Sequence, residues 1–276
     1  MTAPHSPAAG TIVALWRYPV KSMQGEELNA SSVTERGLLG DRAYALVDAH
    51  DGKIASAKNP RKWPNLFAFR ASYSEVPRPG AGPAPVQITL PDGTLAAGNQ
   101  ANLTSLLKPI LGREVALKAA APDKPVLEEY WPDIEGLDHR DKVTDEAMPA
   151  GMFFDLAPIH LLTTATIDRL RELYPQGRFE VRRFRPNIVI AVDGQPHAFV
   201  ENDWVGRTLL LGSEVRLQII KPCGRCVMTT LPQSDLPHDP GILRTAVQHN
   251  KGAVGVYATV LRGGTVRRGN SVRLEG

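Results

Sequence analysis

Turn-forming residues constrain this chain more than any other feature. Twenty-four Gly and 23 Pro are spread over 276 residues, more punctuation than a helical protein tolerates, because Gly loosens a helix and Pro breaks it. What lies between them is short and rich in β-branched or aromatic residues. Residues 11–16, 43–47, 69–73, 86–90, 187–192, 208–211, 215–220 and 255–261 all predict strands. Asp51-Gly52 and Asp92-Gly93 predict hairpin turns. Helical spacing appears three times. Leu103, Leu106 and Leu107 form one short face, and Ile167, Leu170 and Leu173 another, with Thr163 or Thr164 as N-cap. The third begins at Asp239-Pro240 and aligns Ile242, Leu243, Ala246 and Val247. The expected fold is mainly β with a few peripheral helices, built as a closed or nearly closed barrel. No internal repeat is visible.

Two stretches interrupt the strand pattern. Residues 74–85 are Pro/Gly-rich and read as a surface loop. Residues 119–150 are weakly patterned, with Pro122, Pro125, Pro132 and Pro149 among many charges. A domain junction is placed there, dividing the chain into 1–120 and 121–276.

Hydrophobic residues at 42% and charged residues at 22% are ordinary for a soluble globular protein. A net charge of +3, with Lys and Arg scattered and no accompanying aromatics, does not suggest nucleic acid. Apolar runs such as Leu209-Leu210-Leu211 are far too short to span a bilayer, so no membrane is expected. Residues 1–10 have no Lys, Arg or apolar core, and therefore no secretory signal. Two cysteines make no disulfide framework, and a reducing cytoplasm with free thiols is the expected location.

Those two cysteines, Cys223 and Cys226, share one four-residue window. Such spacing suits a redox pair, half of a zinc site, a thiolate on another metal, or two small buried hydrophobes. A thioredoxin-type pair needs a helix starting at the first cysteine, but Val227-Met228-Thr229-Thr230-Leu231-Pro232 follows, and a helix there is not expected. Zinc needs two further ligands, and the seven histidines are dispersed without a close pair. The strand at 215–220 ends at Lys221-Pro222, which places the cysteines on a strand-to-loop turn.

Four other segments set polar or cationic groups beside strands. They are Arg17-Tyr18-Pro19-Val20-Lys21-Ser22, Gly37-Leu38-Leu39-Gly40-Asp41-Arg42, the run Phe154-Asp155 to His160, and Arg182-Arg183-Phe184-Arg185-Pro186-Asn187. Strand mouths are where a barrel binds ligands, and Arg and Lys from separate loops suit a phosphate. Taken singly, Arg182 and Arg183 read equally well as solvated, and Asp41-Arg42 as a surface ion pair.

Taken together, Tyr18-Pro19-Val20-Lys21-Ser22, Gly40-Asp41-Arg42, Phe184-Arg185-Pro186-Asn187 and Cys223-Gly224-Arg225-Cys226-Val227-Met228-Thr229-Thr230 resemble the MOSC family, the molybdenum cofactor sulfurase C-terminal domain. More closely, they resemble members with an N-terminal MOSC β-barrel, such as the mitochondrial amidoxime-reducing components and their bacterial relatives. The resemblance runs from about Thr11 to Leu274. It implies a MOSC-type β-barrel in 121–276 behind an N-terminal β-barrel-like subdomain in 1–120. It also implies molybdenum cofactor, a Mo-molybdopterin, with the Cys226 thiolate on the metal. Lys21, Ser22, Arg42, Arg185, Asn187, Gly224 and Arg225 would hold the pterin and its phosphate, and Asp155 would stand beside the metal-bound oxygen and relay protons. Where the amidoxime reductases carry Thr-Ser, this chain has Leu156-Ala157, so two hydroxyl contacts to the cofactor would be missing or replaced by backbone N–H. Cys223 is expected to pack beneath the loop.

The implied activity is reduction of N-hydroxylated or N-oxygenated small molecules. No ferredoxin-type cysteine run is present, so the expected electron source is a separate ferredoxin, cytochrome or flavin reductase. The same residues would also serve a sulfur carrier acting through a Cys226 persulfide, a protein that hands on molybdenum cofactor, or an anion-binding barrel without metal.

Overall fold

The computed structural model describes residues 8–192, 194 and 197–275; residues 1–7 of the expected signal-free N-terminus lie outside them. Seven strands close into a barrel. In spatial order they are Ile188–Ala191, Ile159–Thr163, Ala253–Arg262, Val215–Gly224, Thr208–Leu211, Ser271–Glu275 and Ala8–Arg17, which pairs back onto Ile188–Ala191. All pairings are antiparallel except Ile159–Thr163 with Ile188–Ala191. Closure removes the unpaired edges that an open sheet would leave to aggregate. Inward residues alternate along two strands, Leu209 and Leu211 on one and Val215, Leu217 and Ile219 on the other, while a register shift between Ile12 and Ala14 turns both Ile12 and Leu15 inward; all are fully buried in one cluster. Each such side chain contributes about 1.5–3 kcal/mol when taken from water.

The N-terminal half packs a second core around Val20, Met23, Trp63, Phe67, Phe69, Ile88, Leu107 and Val115. Its strands are short: Arg70–Tyr73, Val86–Thr89 and Leu95–Ala97 form one sheet, and Ala45–Asp48 pairs with Val115–Lys118. Asp92-Gly93 makes the expected hairpin turn, with Gly93 at φ 87°. Residues 74–85 form the expected loop between two paired strands. Asp51-Gly52 joins Ala45–Asp48 only to a single bridge at Ile54.

Two of the expected helices have side-chain caps. Thr163 accepts from Thr166 N at 3.1 Å to start Thr164–Leu173, and Asp239 accepts from Gly241 N at 2.9 Å to start Pro240–Asn250. Both pack on the barrel's exterior around Leu162, Phe179 and Phe184.

The weakly patterned stretch 119–150 is the main surprise. It holds a regular hairpin, Val126–Trp131 paired with Lys142–Ala147. The outer strand alternates between exposed and half-buried residues and buries none fully, so it lacks the apolar signal by which strands are recognised. Among the described residues no helix is long and apolar enough to cross a membrane.

Candidate functional site

The strand Val215–Gly224 carries Cys223 and delivers Cys226. Pro222 has no N–H to donate, and pairing with Ala253–Arg262 shifts register between Ile219 and Lys221 and again between Pro222 and Gly224. Beyond it a single 3-10 turn, Val227–Thr230, forms where no helix was expected, with Cys226 as its extended N-cap. Two threonines explain it. Thr229 Oγ1 donates to Cys226 O at 3.1 Å and Thr230 Oγ1 to Val227 O at 2.8 Å, while Val227, Met228 and Leu231 plug into the N-terminal core. The cysteine loop is thus clamped between the two cores.

The two thiols are free and have different surroundings. Cys223 is completely buried, and Arg225 Nη1 donates to its sulfur at 2.7 Å. Burial opposes its ionisation, yet Arg225 and His160 outweigh burial and hold the thiol below its ordinary range. Cys226 is half-buried and lines a cavity of about 490 Å³. Burial, with Glu129 adding to it, pushes this thiol up to about 11. The electrostatics therefore favour the thiolate at Cys223, where its charge is already matched, and leave Cys226 protonated.

Eight of the nine expected site residues line that one cavity: Cys226, Asp155, Lys21, Arg42, Arg185, Asn187, Gly224 and Arg225. Ser22 does not line it; its hydroxyl accepts from Ala57 N at 3.1 Å. Lys21 is buried, donates to Phe153 O at 3.0 Å and pairs with Asp155. Burial and Lys58 draw charge off Lys21, while Asp155 opposes them. For Asp155, burial works against ionisation, but Lys21 and Lys58 overcome it and hold the carboxyl well below the usual carboxylate range. Arg185 Nη1 donates to Met23 O at 2.7 Å, and its guanidinium lies 4.2 Å from the Tyr18 ring centre. Arg225 Nη2 donates to Phe184 O at 3.0 Å, and its Nε is buried without a partner. Gly224 is exposed, and a Cβ there would meet nothing within 4 Å.

Asp41 organises this cradle. It is buried, so the surface ion-pair alternative for Asp41-Arg42 falls. Its Oδ1 accepts from Tyr18 N at 2.7 Å, and its Oδ2 accepts from Asn187 Nδ2 at 2.9 Å and pairs with Arg42. Asn187 Oδ1 in turn accepts from His160 N at 3.1 Å. Arg183 is not solvated either: fully buried, it donates to the carbonyls of Arg178, Thr229, Leu231 and Pro237. Arg182 stays near the surface on Asp235 and Glu180.

Backbone strain marks the same place. Ser22, Arg42, Arg185 and Lys251 all have left-handed φ, between 45° and 62°. Each costs about 1 kcal/mol or more for a non-Gly residue. Three of the four were already expected at the site from their motifs.

Six lining residues were not among the expected site residues: His160, Lys221 and Tyr257, and also Lys58, Glu129 and Lys251, which carried no sequence signal. Lys58 Nζ lies 2.9 Å from Glu129 Oε2 and 3.6 Å from Asp155 Oδ2. Its neighbourhood, Ala55-Ser56-Ala57-Lys58, has no strand or helix period, and Glu129 sits in the stretch that gave no pattern. Seven lining cations face four carboxylates, and the excess favours an anionic ligand.

A family model described as the MOSC domain matches residues 150–273, and one described as the MOSC N-terminal beta barrel domain matches residues 9–106. The chain is similar to mitochondrial amidoxime reducing component 2 of Rattus norvegicus, at 27% identity over 80% of this chain and 67% of the relative. It is similar to mitochondrial amidoxime-reducing component 1 of Mus musculus, at 23% identity over 97% of this chain and 83% of the relative. A solved structure, the YUAD protein from Bacillus subtilis, aligns over 98% of this chain and 94% of that one, with a TM-score of 0.45 and 13% identity. With both models matched in order along most of its length, the chain belongs to the MOSC domain family and carries a MOSC N-terminal beta barrel domain ahead of the MOSC domain.

Proposed function

We propose that this chain is a molybdenum-cofactor-dependent oxidoreductase that reduces N-hydroxylated or N-oxygenated small molecules, with the Cys226 thiolate ligating the metal. The observation that carries this is the half-buried Cys226 thiol opening on one cavity together with Lys21, Arg42, Arg185, Asn187, Gly224 and Arg225. The curated relatives that the chain resembles, named for amidoxime reduction, support the same chemistry.

The residues fit such a group. Among the described residues no three His, Cys, Asp or Glu side chains cluster to hold a metal ion, so a metal here must bring its own chelate. A single soft thiolate suits a metal already held by dithiolene sulfur. The cavity volume lies in the range of small-molecule sites. Arg185, Arg225, Lys221 and Lys251 have no carboxylate partner among the described residues, while Lys21, Arg42 and Lys58 do, which leaves free positive charge for a phosphate. When bound, the cofactor supplies the two-electron couple that removes oxygen from an N–O bond.

The chain's own groups bind, orient and move protons. Lys21, Arg42, Arg185 and Arg225 provide a fixed positive cradle. Asn187 and Ser22 work through the backbone, since their side chains are spent on His160, Asp41 and Ala57. Gly224 leaves space for close approach. Asp155 is ionised at neutral pH, so it accepts a hydrogen bond and passes a proton on rather than storing one. Leu156 and Ala157 add an apolar patch to the cavity. A ferredoxin, cytochrome or flavin reductase delivers the electrons in this reading.

Persulfide carriage through Cys226 is the weaker reading, because a thiol pushed up to about 11 is a poor nucleophile at neutral pH. Metal analysis of protein expressed with molybdate, paired with reduction of hydroxylamines or N-hydroxylated purines by reduced viologen, tests the proposal. Stoichiometric molybdenum and turnover are expected. Cys226→Ser should lose both, whereas Cys223→Ser, which keeps an acceptor for Arg225, should retain most of each. Cyanide-labile sulfur on metal-free protein, or equal loss in both variants, would overturn it.

A further inference from the structure

A second cavity, of about 270 Å³, adjoins the first. The two share Arg42 and Phe154 and are otherwise lined by different residues. No step proposed above uses it. The Pro/Gly-rich loop 74–85 forms one side, and its position is fixed. Tyr44 Oη donates to Ala84 O at 2.9 Å, and Tyr73 Oη donates to Gly40 O at 2.7 Å. Pro77 is buried against Gly40, where a Cβ would lie 3.0 Å from Pro77 Cγ and 2.8 Å from Tyr73 Cε2. With φ at 81°, Gly40 is the residue type that suits both the turn and this close contact. Four prolines, at 77, 79, 83 and 85, restrict the loop further. The cavity is therefore preformed, as ligand sites usually are.

Its charge is one-sided. Three guanidiniums, of Arg36, Arg42 and Arg78, line it against one carboxylate, that of Asp41. Asp41 is buried, pairs with Arg42, and also accepts from Tyr18 N and Asn187 Nδ2. Arg36 and Arg78, both exposed, thus add two positive charges that no lining group balances. They come from different segments. Arg36 sits in the turn between the paired strands Ala30–Thr34 and Gly37–Leu38, and its Nη2 donates at 2.6 Å to the carbonyl of Gly151, itself a lining residue. That bond fixes the guanidinium at the cavity wall and uses one of its five N–H donors. Arg78 belongs to the loop, where its carbonyl accepts from Ala81 N at 3.2 Å. Leu38, Tyr73, Met152, Phe153 and Phe154 make the rest of the wall largely apolar.

We infer that this second cavity binds a small aromatic carboxylate, apart from any cofactor. Volume sets the size: sites for drug-sized ligands span about 300–1,000 Å³, so this one takes a single ring and not a pterin or a nucleotide. Charge sets the sign, because a guanidinium fork matches the two oxygens of a carboxylate. The aromatic wall sets the body, since a ring buries apolar area that a bare phosphate or acetate leaves unfilled. The inference does not depend on the reductase reading.

The test is calorimetry on the full chain with benzoate as probe. Wild type should bind benzoate, and should bind benzamide, its neutral analogue, at least tenfold more weakly. Acetate, which keeps the charge and lacks the ring, should also bind at least tenfold more weakly. Arg36→Ala and Arg78→Ala should each weaken benzoate about tenfold. Both side chains are exposed, so both variants should fold. Benzoate held in the larger cavity would ignore both substitutions, and that result overturns the inference. So does a lack of benzoate binding, or equal affinity for benzamide or acetate. Neither substitution should change the molybdenum retained by protein expressed with molybdate; a parallel fall would assign the cavity to the cofactor and overturn the inference. Metal-free wild type sinks the reductase reading instead, and the benzoate titration still decides this one.

Discussion

At position 226 the thiol stays protonated because burial and a neighbouring carboxylate both oppose its charge, and in the proposed function a metal would displace that proton. Gly224 makes a related point in reverse. No backbone strain and no neighbouring atom demand a glycine there, since a Cβ would meet open space. Gly224→Ala should therefore leave the unfolding midpoint within about 0.5 kcal/mol of wild type while lowering the molybdenum retained by purified protein. A large loss of stability would show that its role is structural. Asp155 sets the pH behaviour. Its folded carboxyl ionises more readily than an unfolded one, so its stabilisation is present above the ordinary carboxylate pKa of about 4 and is lost as pH falls further. Asp155→Asn should be less stable than wild type at neutral pH, and denaturation curves of the two should converge as pH drops below about 4.

Among the elements, the cysteine loop shows how packing overrides local preference. Val227-Met228-Thr229-Thr230 has β-branched residues that disfavour a helix, yet it makes a 3-10 turn because its apolar side chains are held in the N-terminal core. Arg183 secures this turn from beneath. Its fully buried guanidinium satisfies four carbonyls, two of them at Thr229 and Leu231. Arg183→Met keeps the volume but orphans those acceptors, and should cost about 3 kcal/mol or more in chemical denaturation. It should also loosen Cys226, read as faster alkylation of that thiol. Unchanged alkylation would separate the turn from Arg183. No period betrays this role: Arg182 and Arg183 look alike in sequence, and only the packing places one inside and the other on Asp235.

For the whole molecule, the first strand is the tie between halves. Ala8–Arg17 stands between Ser271–Glu275 and Ile188–Ala191 and closes the barrel built by the C-terminal half. We propose the division near residue 120 as an order along the sequence, with this strand given across it. Deleting residues 1–17 opens two strand edges and should yield aggregated protein, judged by size-exclusion chromatography. A monomeric, cooperatively unfolding product would refute that tie. The reverse contribution comes from Val227, Met228 and Leu231, which fill the N-terminal core.

Local chemistry was enough to reveal five of the seven barrel strands, the capped helices and the cysteine window, while Ile159–Thr163 and Ser271–Glu275 escaped it. Short β-branched runs, Thr163 and Asp239 caps, and turn glycines act over a few residues and are legible there. So were the motifs holding Lys21, Arg42, Arg185 and Cys226, each a compact cluster. What only the tertiary structure decided depends on distant neighbours. Lys58 and Glu129, 71 residues apart, meet as an ion pair; Asp41 reaches Asn187 across 146. The distinct environments of Cys223 and Cys226 arise because one is completely buried against Arg225 and the other lines the cavity. Electrostatics and burial are properties of proximity, and proximity is created by folding.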